Sequence, residues 1–247
     1  LPRTVSDLVS SAENLLVKRL RRLAAAREAD EVLLEGPRVI RQAVAAGVRL
    51  ELLAVREDDD FEIEAERRVS LSRALFRELS QTSTPQGVLA IGHAAPAGFA
   101  DALAAARRAG WPLVVLDRVQ DPGNVGAICR TAAAAGAPAL VVLPGTADPL
   151  GAKAIRASAG HVFNLRLAEA VWSDLEDLRC LGASVSGTPL EEADLGSVEA
   201  LVLGSEAHGL SRPLPAVALP MAAGVQSLNV AAAAAILLYE LRRRIAA

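Results

Sequence analysis

Along this chain the apolar positions switch between two periods. Residues 11–28 place Leu16, Leu20 and Leu23 on one helical face, with Lys18, Arg19, Arg21 and Arg22 on the remainder. A short apolar run at 32–34 follows. Pro37 then opens a helix that reaches Ala46, with Gly47 behind it. Residues 50–55 read as a strand, 57–66 as an acidic surface loop, 73–79 as a short helix and 87–91 as another strand. Ala94-Ala95-Pro96-Ala97-Gly98 has the composition of a linker. Beyond it, apolar runs at 113–116, 139–143, 163–167, 183–186, 200–203 and 216–219 alternate with helical stretches at 126–135, 149–159, 172–181 and 228–244. Unbroken apolar strands between helices predict a parallel sheet covered on both faces. The expected organisation is a small α/β domain over 1–95, a linker and first helix over 96–110, and a larger α/β domain over 111–247.

Composition narrows the class. Of 247 residues, 52% are hydrophobic and 22% charged, which excludes disorder as a description of the whole chain. Alanine supplies about a fifth of the chain and inflates its hydropathy. No apolar run approaches the roughly 20 residues of a spanning helix, so no membrane is expected. Without a basic-then-apolar leader or an initiator Met, the start reads as trimmed, and a cytoplasmic location is expected. Cys129 and Cys180 form no disulfide framework, and His93, His161 and His208 are too scattered for a metal site, so no metal is expected.

Charge is unevenly placed. The net charge is −3, yet residues 1–27 carry six basic groups against two acids, a local balance of +4. All basic residues except Lys18 and Lys153 are Arg, whose planar fork suits phosphate. A phosphate-tracking first helix and an ordinary solvated face both fit that pattern.

Ligands of parallel sheets gather beyond the carboxyl ends of the strands, and three strand ends stand out. The first is Asp117-Arg118-Val119-Gln120-Asp121-Pro122-Gly123-Asn124-Val125-Gly126, running into a helix that carries Arg130 among alanines and aliphatics. That arginine either snorkels to solvent or projects toward a reacting centre. The second is Leu203-Gly204-Ser205-Glu206-Ala207-His208-Gly209-Leu210-Ser211. Its Glu206 can serve as base, as hydrogen-bond acceptor or as a carboxylate at a helix N-terminus. The third runs from Leu219 through Met221 and Gly224 to Ser227-Leu228-Asn229, with Ser227 the expected N-cap of the last helix.

In this order, D-P-G-N-V-G-A-I-x-R-T, L-G-S-E-x-x-G-L-S and L-P-M-x-x-G-x-x-S-L-N-V-A closely resemble the three motifs of the SpoU family of RNA ribose 2′-O-methyltransferases, in the SPOUT superfamily. The likeness covers about residues 111–244. Asn14-Leu15-Leu16-Val17-Lys18-Arg19-Leu20 and Leu33-Leu34-Glu35-Gly36-Pro37-Arg38 resemble the family's N-terminal substrate-binding domain. The resemblance implies an α/β catalytic domain whose C-terminal segment threads a trefoil knot, S-adenosylmethionine as cofactor, and a homodimer built largely on the last helix. It implies Arg130, Asn124, Glu206, Ser227 and Asn229 as catalytic residues, and Leu203, Gly204, Leu219, Met221 and Leu228 as cofactor-binding residues. Candidates for RNA contact are Lys18, Arg19, Arg22, Arg38 and Arg156. Ala207-His208, Ala223 and His161 depart from the usual family pattern without removing any of these groups.

The chemistry suits the residue types. A sulfonium methyl is already electrophilic, so a transferase aligns it with the hydroxyl oxygen and raises that oxygen's nucleophilicity. A fixed, protonated Arg stabilises developing alkoxide charge more naturally than it removes a proton. The accessory domain favours ribosomal RNA, of the large subunit, over transfer RNA. The alternatives are a transfer RNA enzyme, a noncatalytic RNA-binding relative, and another nucleotide-binding enzyme such as a dehydrogenase. The last is disfavoured because G-x-G-x-x-G is absent.

Overall fold

A computed structural model describes residues 8–245. Residues 1–7, with Arg3 of the basic segment, and 246–247 lie outside the described residues. The chain divides into two compact units: Leu1–Ala95 with Leu150–Phe163, and Pro96–Pro149 with Asn164–Ala247.

The first unit is a five-stranded mixed sheet in the order β1-β4-β3-β5-β2. Its strands are β1 (Leu8–Val9), β2 (Glu31–Glu35), β3 (Arg49–Arg56), β4 (Arg67–Leu71) and β5 (Val88–His93). Helices α1 (Leu15–Ala25), α2 (Pro37–Ala45) and α3 (Arg73–Leu79) accompany them. Asn14 caps α1 by accepting the Leu16 amide at 2.9 Å. Val17, Leu20 and Leu23 form the buried face of α1, and Leu16 lies at its margin. The acidic stretch after β3 gives way to β4, where Val69 and Leu71 alternate with Arg68 and Ser70 between two parallel neighbours.

The second unit holds six strands, all parallel, in the order β11-β9-β10-β6-β7-β8. They are β6 (Leu113–Asp117), β7 (Ala139–Val142), β8 (Arg166–Glu169), β9 (Cys180–Pro189), β10 (Ala200–Gly204) and β11 (Ala216–Ala218). With them are α4 (Phe99–Ala109), α5 (Pro122–Ala135) and α7 (Val230–Ile245), while α6 (Ala152–Ala157) belongs to the first unit. The central β6 and β10 are buried almost throughout, as their unbroken apolar sequences predict.

Two expected elements differ. Residues 163–167 begin as a 3-10 turn (His161–Asn164), and β8 starts only at Arg166. The helix expected over 172–181 is a single 3-10 turn, Trp172–Leu175, in which Asp174 accepts the Val171 amide at 2.8 Å. The chain then becomes β9, pairing Leu181 with Leu201. Gly182 belongs in that strand because a Cβ there would meet Leu210 Cδ1 at 2.3 Å. Sheet pairing and close packing override the local apolar spacing.

Candidate functional site

Three loops leave the carboxyl ends of β6, β10 and β11 and meet. Asp121 caps α5 by accepting the Asn124 amide at 3.2 Å, and Pro122 fills the first helical position. Asn124 is thereby held in the first turn of α5. Asn229, not Ser227, caps α7: its Oδ1 accepts the Ala231 and Ala232 amides at 2.9 and 3.2 Å. Ser227 lies two residues too early and instead faces a cavity.

Glu206 joins the two helix starts. Its Oε1 accepts from Asn229 Nδ2 at 2.6 Å, Asn124 Nδ2 at 3.1 Å and the Val230 amide at 3.1 Å. Asn229 Nδ2 also donates to Asn124 Oδ1 at 3.1 Å. A carboxylate at the N-terminus of α7 faces the positive end of that helix, so acceptor and capping roles coincide. Three residues from separate motifs, up to 105 positions apart, form one hydrogen-bonded cluster.

Beside the cluster lies a cavity of about 810 Å³. Leu203, Gly204, Glu206, Leu219, Met221, Ser227 and Leu228 all line it. Its loops are shaped by close backbone approaches. Ser205 and Gly209 pair in a tight hairpin, with the Ser205 amide donating to Gly209 O at 3.1 Å and the Gly209 amide to Ser205 O at 2.8 Å. A Cβ on Gly204 would sit 2.5 Å from the Gly209 carbonyl carbon, so only glycine fits. The buried Asp117 accepts the Ser211 amide at 2.5 Å and fixes the far end of the same loop. Sequence reasoning missed one wall, Ala183–Thr188 of β9, together with Arg212. The apolar alternation of β9 disclosed a strand there but not that its carboxyl half faces a cavity.

The cavity suits S-adenosylmethionine. Leu203, Leu219, Leu228 and Met221 supply apolar walls for a planar base, and Ser205, Gln226 and Glu206 supply polar groups for a cationic tail. Nearby Cys129 is fully buried and its thiol is pushed up to about 12 by that burial, so it is no nucleophile.

Arg130 stands apart. It is exposed on α5, and among the described residues it has neither a hydrogen bond nor an ion pair. The cluster of Asn124, Glu206 and Asn229 forms without it.

The basic candidates of the first unit are mostly paired. Lys18 meets Glu13 at 2.6 Å, Arg21 meets Glu78 at 2.5 Å and Arg22 meets Glu28 at 2.9 Å. Arg19 is bidentate on Glu51, at 2.5 and 2.6 Å, and also reaches Glu31 at 2.9 Å. Burial lowers the pKa of Arg156, whose Nη1 lies 3.6 Å from the buried Glu35. The cations of α1 are thus answered by acids, near ones for Lys18 and Arg22 and distant ones for Arg19 and Arg21, as on a solvated face. Arg38, by contrast, is exposed and has no partner among the described residues.

Comparisons with known proteins give the chain's relatives. A sequence model of the SpoU rRNA methylase family matches residues 112–239, and one of the MRM3-like substrate binding domain matches residues 14–90. The 23S rRNA (guanosine(2553)-2'-O)-methyltransferase of Bacillus subtilis is 31% identical over 95% of this chain and 98% of its own length. An AdoMet-bound rRNA methyltransferase from Sinorhizobium meliloti superposes with a TM-score of 0.81 at 26% identity, covering 97% of this chain and 98% of that one. The SpoU methyltransferase AviRb from Streptomyces viridochromogenes, in complex with AdoMet, gives 0.82 at 26% identity, covering 94% and 98%.

Proposed function

Because the chain belongs to the SpoU rRNA methylase family, we propose that it transfers a methyl group from S-adenosylmethionine to a ribose 2′-hydroxyl of large-subunit ribosomal RNA. The observation that carries this reading is the meeting of three motif loops at one cavity beside the Asn124–Glu206–Asn229 cluster. The full-length likeness to a 23S rRNA enzyme supports the substrate class.

When bound, the cofactor supplies an electrophilic sulfonium methyl. The chain's own residues do the rest. Leu203, Gly204, Leu219, Met221 and Leu228 would hold the donor and exclude water from one side. Glu206 orients the amides of Asn124 and Asn229, leaving a polar rim on which a ribose can be positioned. The guanidinium of Arg130 stabilises negative charge developing on the 2′-oxygen. The first unit presents RNA contacts through exposed arginines such as Arg38.

The same reading includes the family's trefoil knot, a cytoplasmic location and a homodimer. The dimer is supported by α7, on which Ile236, Tyr239 and Ile245 are all more than 40% exposed, and by the unpartnered Arg130. The deciding experiment is methyl transfer from labelled cofactor to unmodified 23S rRNA and to transfer RNA, followed by mapping. Labelled 2′-O-methyl nucleotide in 23S rRNA alone is the expected result. Labelling of transfer RNA alone would move the enzyme to the other substrate class.

A further inference from the structure

A second, smaller cleft opens beyond the carboxyl ends of β6, β7 and β8. Its volume is about 340 Å³, near the small end of ligand cavities. Arg118, Pro144, Trp172 and Arg212 bound it, and Ser211 and Arg212 line both this cleft and the 810 Å³ cavity.

Its residues are specifically placed. Arg118 adopts φ +57°, a left-handed conformation that non-glycine residues rarely take. The stem of that arginine passes over Gly145, where a Cβ would stand 3.2 Å from Arg118 Cγ. Arg118 Nε is buried without a hydrogen-bond partner among the described residues, 3.7 Å from Asp117 Oδ1. Asp117 itself is occupied by the Ser211 amide, so the Arg118 charge is only partly answered. Trp172 packs against the core of the second unit, and its indole N–H donates to Ser211 Oγ at 2.8 Å. The Arg212 guanidinium lies over the ring, 5.4 Å from its centroid. The carboxylate facing Arg212 is Glu176, 3.9 Å away, and both side chains are more than half exposed, a pairing that water largely screens.

We propose that this cleft is a subsite for an RNA nucleotide flanking the methylated one, with Arg118 taking its phosphate and the Arg212–Trp172 stack its base. The proposal rests on the RNA methyltransferase reading and adds residues outside the three motifs. A chain with one Tyr, four Phe and two Trp offers few stacking platforms, and this one adjoins the cofactor cavity. Guanidinium planes stack on unpaired bases as aromatic rings do, and a cationic fork suits a phosphodiester.

The test uses the full chain with unmodified 23S rRNA transcript and, separately, S-adenosylmethionine. Arg118→Asn tolerates the left-handed backbone while removing the charge. It should lower the slope of log affinity for RNA against log salt by about one, with cofactor affinity within twofold. Arg212→Ala should weaken RNA binding about tenfold. In Trp111→Phe, Trp172 is the sole tryptophan, and its fluorescence should be quenched on RNA addition. Wild-type RNA affinity and salt slope in both variants, with Trp172 unquenched, would overturn the subsite while leaving the methyltransferase intact. Quenching by a free nucleoside monophosphate but not by the transcript would also overturn it. Failure of the wild type to bind cofactor or methylate any RNA would instead sink the underlying reading.

Discussion

Arg130 and Glu206 separate chemistry from architecture at the scale of single residues. Arg130 is exposed and makes no hydrogen bond or ion pair among the described residues, so Arg130→Ala should leave thermal stability within about 0.5 kcal/mol. Methyl transfer should fall about 10²–10³-fold with cofactor affinity within a few-fold, the pattern of lost charge stabilisation. Transfer at near wild-type rate would remove the residue from the mechanism. Asn229 gives a sharper contrast. Asn229→Asp keeps the oxygen that caps α7 but sets a second carboxylate against Glu206, now 2.6 Å from Asn229 Nδ2. The expected outcome is a folded protein with strongly reduced transfer. Asn229→Ala should lose about 1 kcal/mol of stability as well. A wild-type melting point for Asn229→Ala would contradict the capping role. Gly204→Ala places a methyl group 2.5 Å from the Gly209 carbonyl carbon. It should cost about 1–3 kcal/mol and weaken cofactor binding, as read by calorimetric titration.

The elements show what a linear sequence discloses and what it hides. Strands β6 and β10 were legible because a doubly covered strand must be apolar throughout, whereas α5 was read only from residue 126, four positions after its start at Pro122 behind the Asp121 cap. The start of β9 was not legible. Leu175, Leu178 and Leu181 have helical spacing, and only pairing with β10 and the Leu210 contact at Gly182 decide for a strand. The family motifs named Asn124, Glu206 and Asn229, which the fold brings together, whereas Ser227 was mistaken for the cap because Ser and Asn are both good caps two positions apart. For α1, the sequence shows the cations but not that Arg19 and Arg21 meet acids from β2, β3 and α3. That pairing has a pH consequence. The Arg19 guanidinium holds the Glu51 carboxyl below its ordinary value of 4.5. A depressed carboxyl stabilises the fold above its unfolded pKa and loses that contribution as pH falls through the folded value. Stability of the first unit should therefore decline below about pH 4.5. In Arg19→Met the acid limb should flatten, measured by denaturant midpoints from pH 3 to 7. An unchanged limb would show that the pair contributes nothing.

For the whole molecule, Arg130 poses the remaining geometric question. It lies six positions after Asn124 on α5, which puts the two side chains about 120° apart around the helix. Asn124 turns toward Glu206 and Asn229, so Arg130 does not share that face. A site needing both fits a dimer in which Arg130 of one copy completes the cluster of the other, and the exposed apolar residues of α7 supply a surface for such pairing. Light scattering should then give twice the 25.7 kDa chain mass. Dimer formation alone would not establish that the site is shared, but subunit mixing would. Arg130→Ala and Glu206→Ala proteins should each be inactive. Unfolded together and refolded at equal concentration, they form mixed dimers in which one of two sites holds both groups. About a quarter of wild-type activity should return, since half the dimers are mixed and each has one intact site. No recovery despite demonstrated mixing would place Arg130 and Glu206 in the same subunit's site, and α5 would then have to turn Arg130 inward when RNA binds.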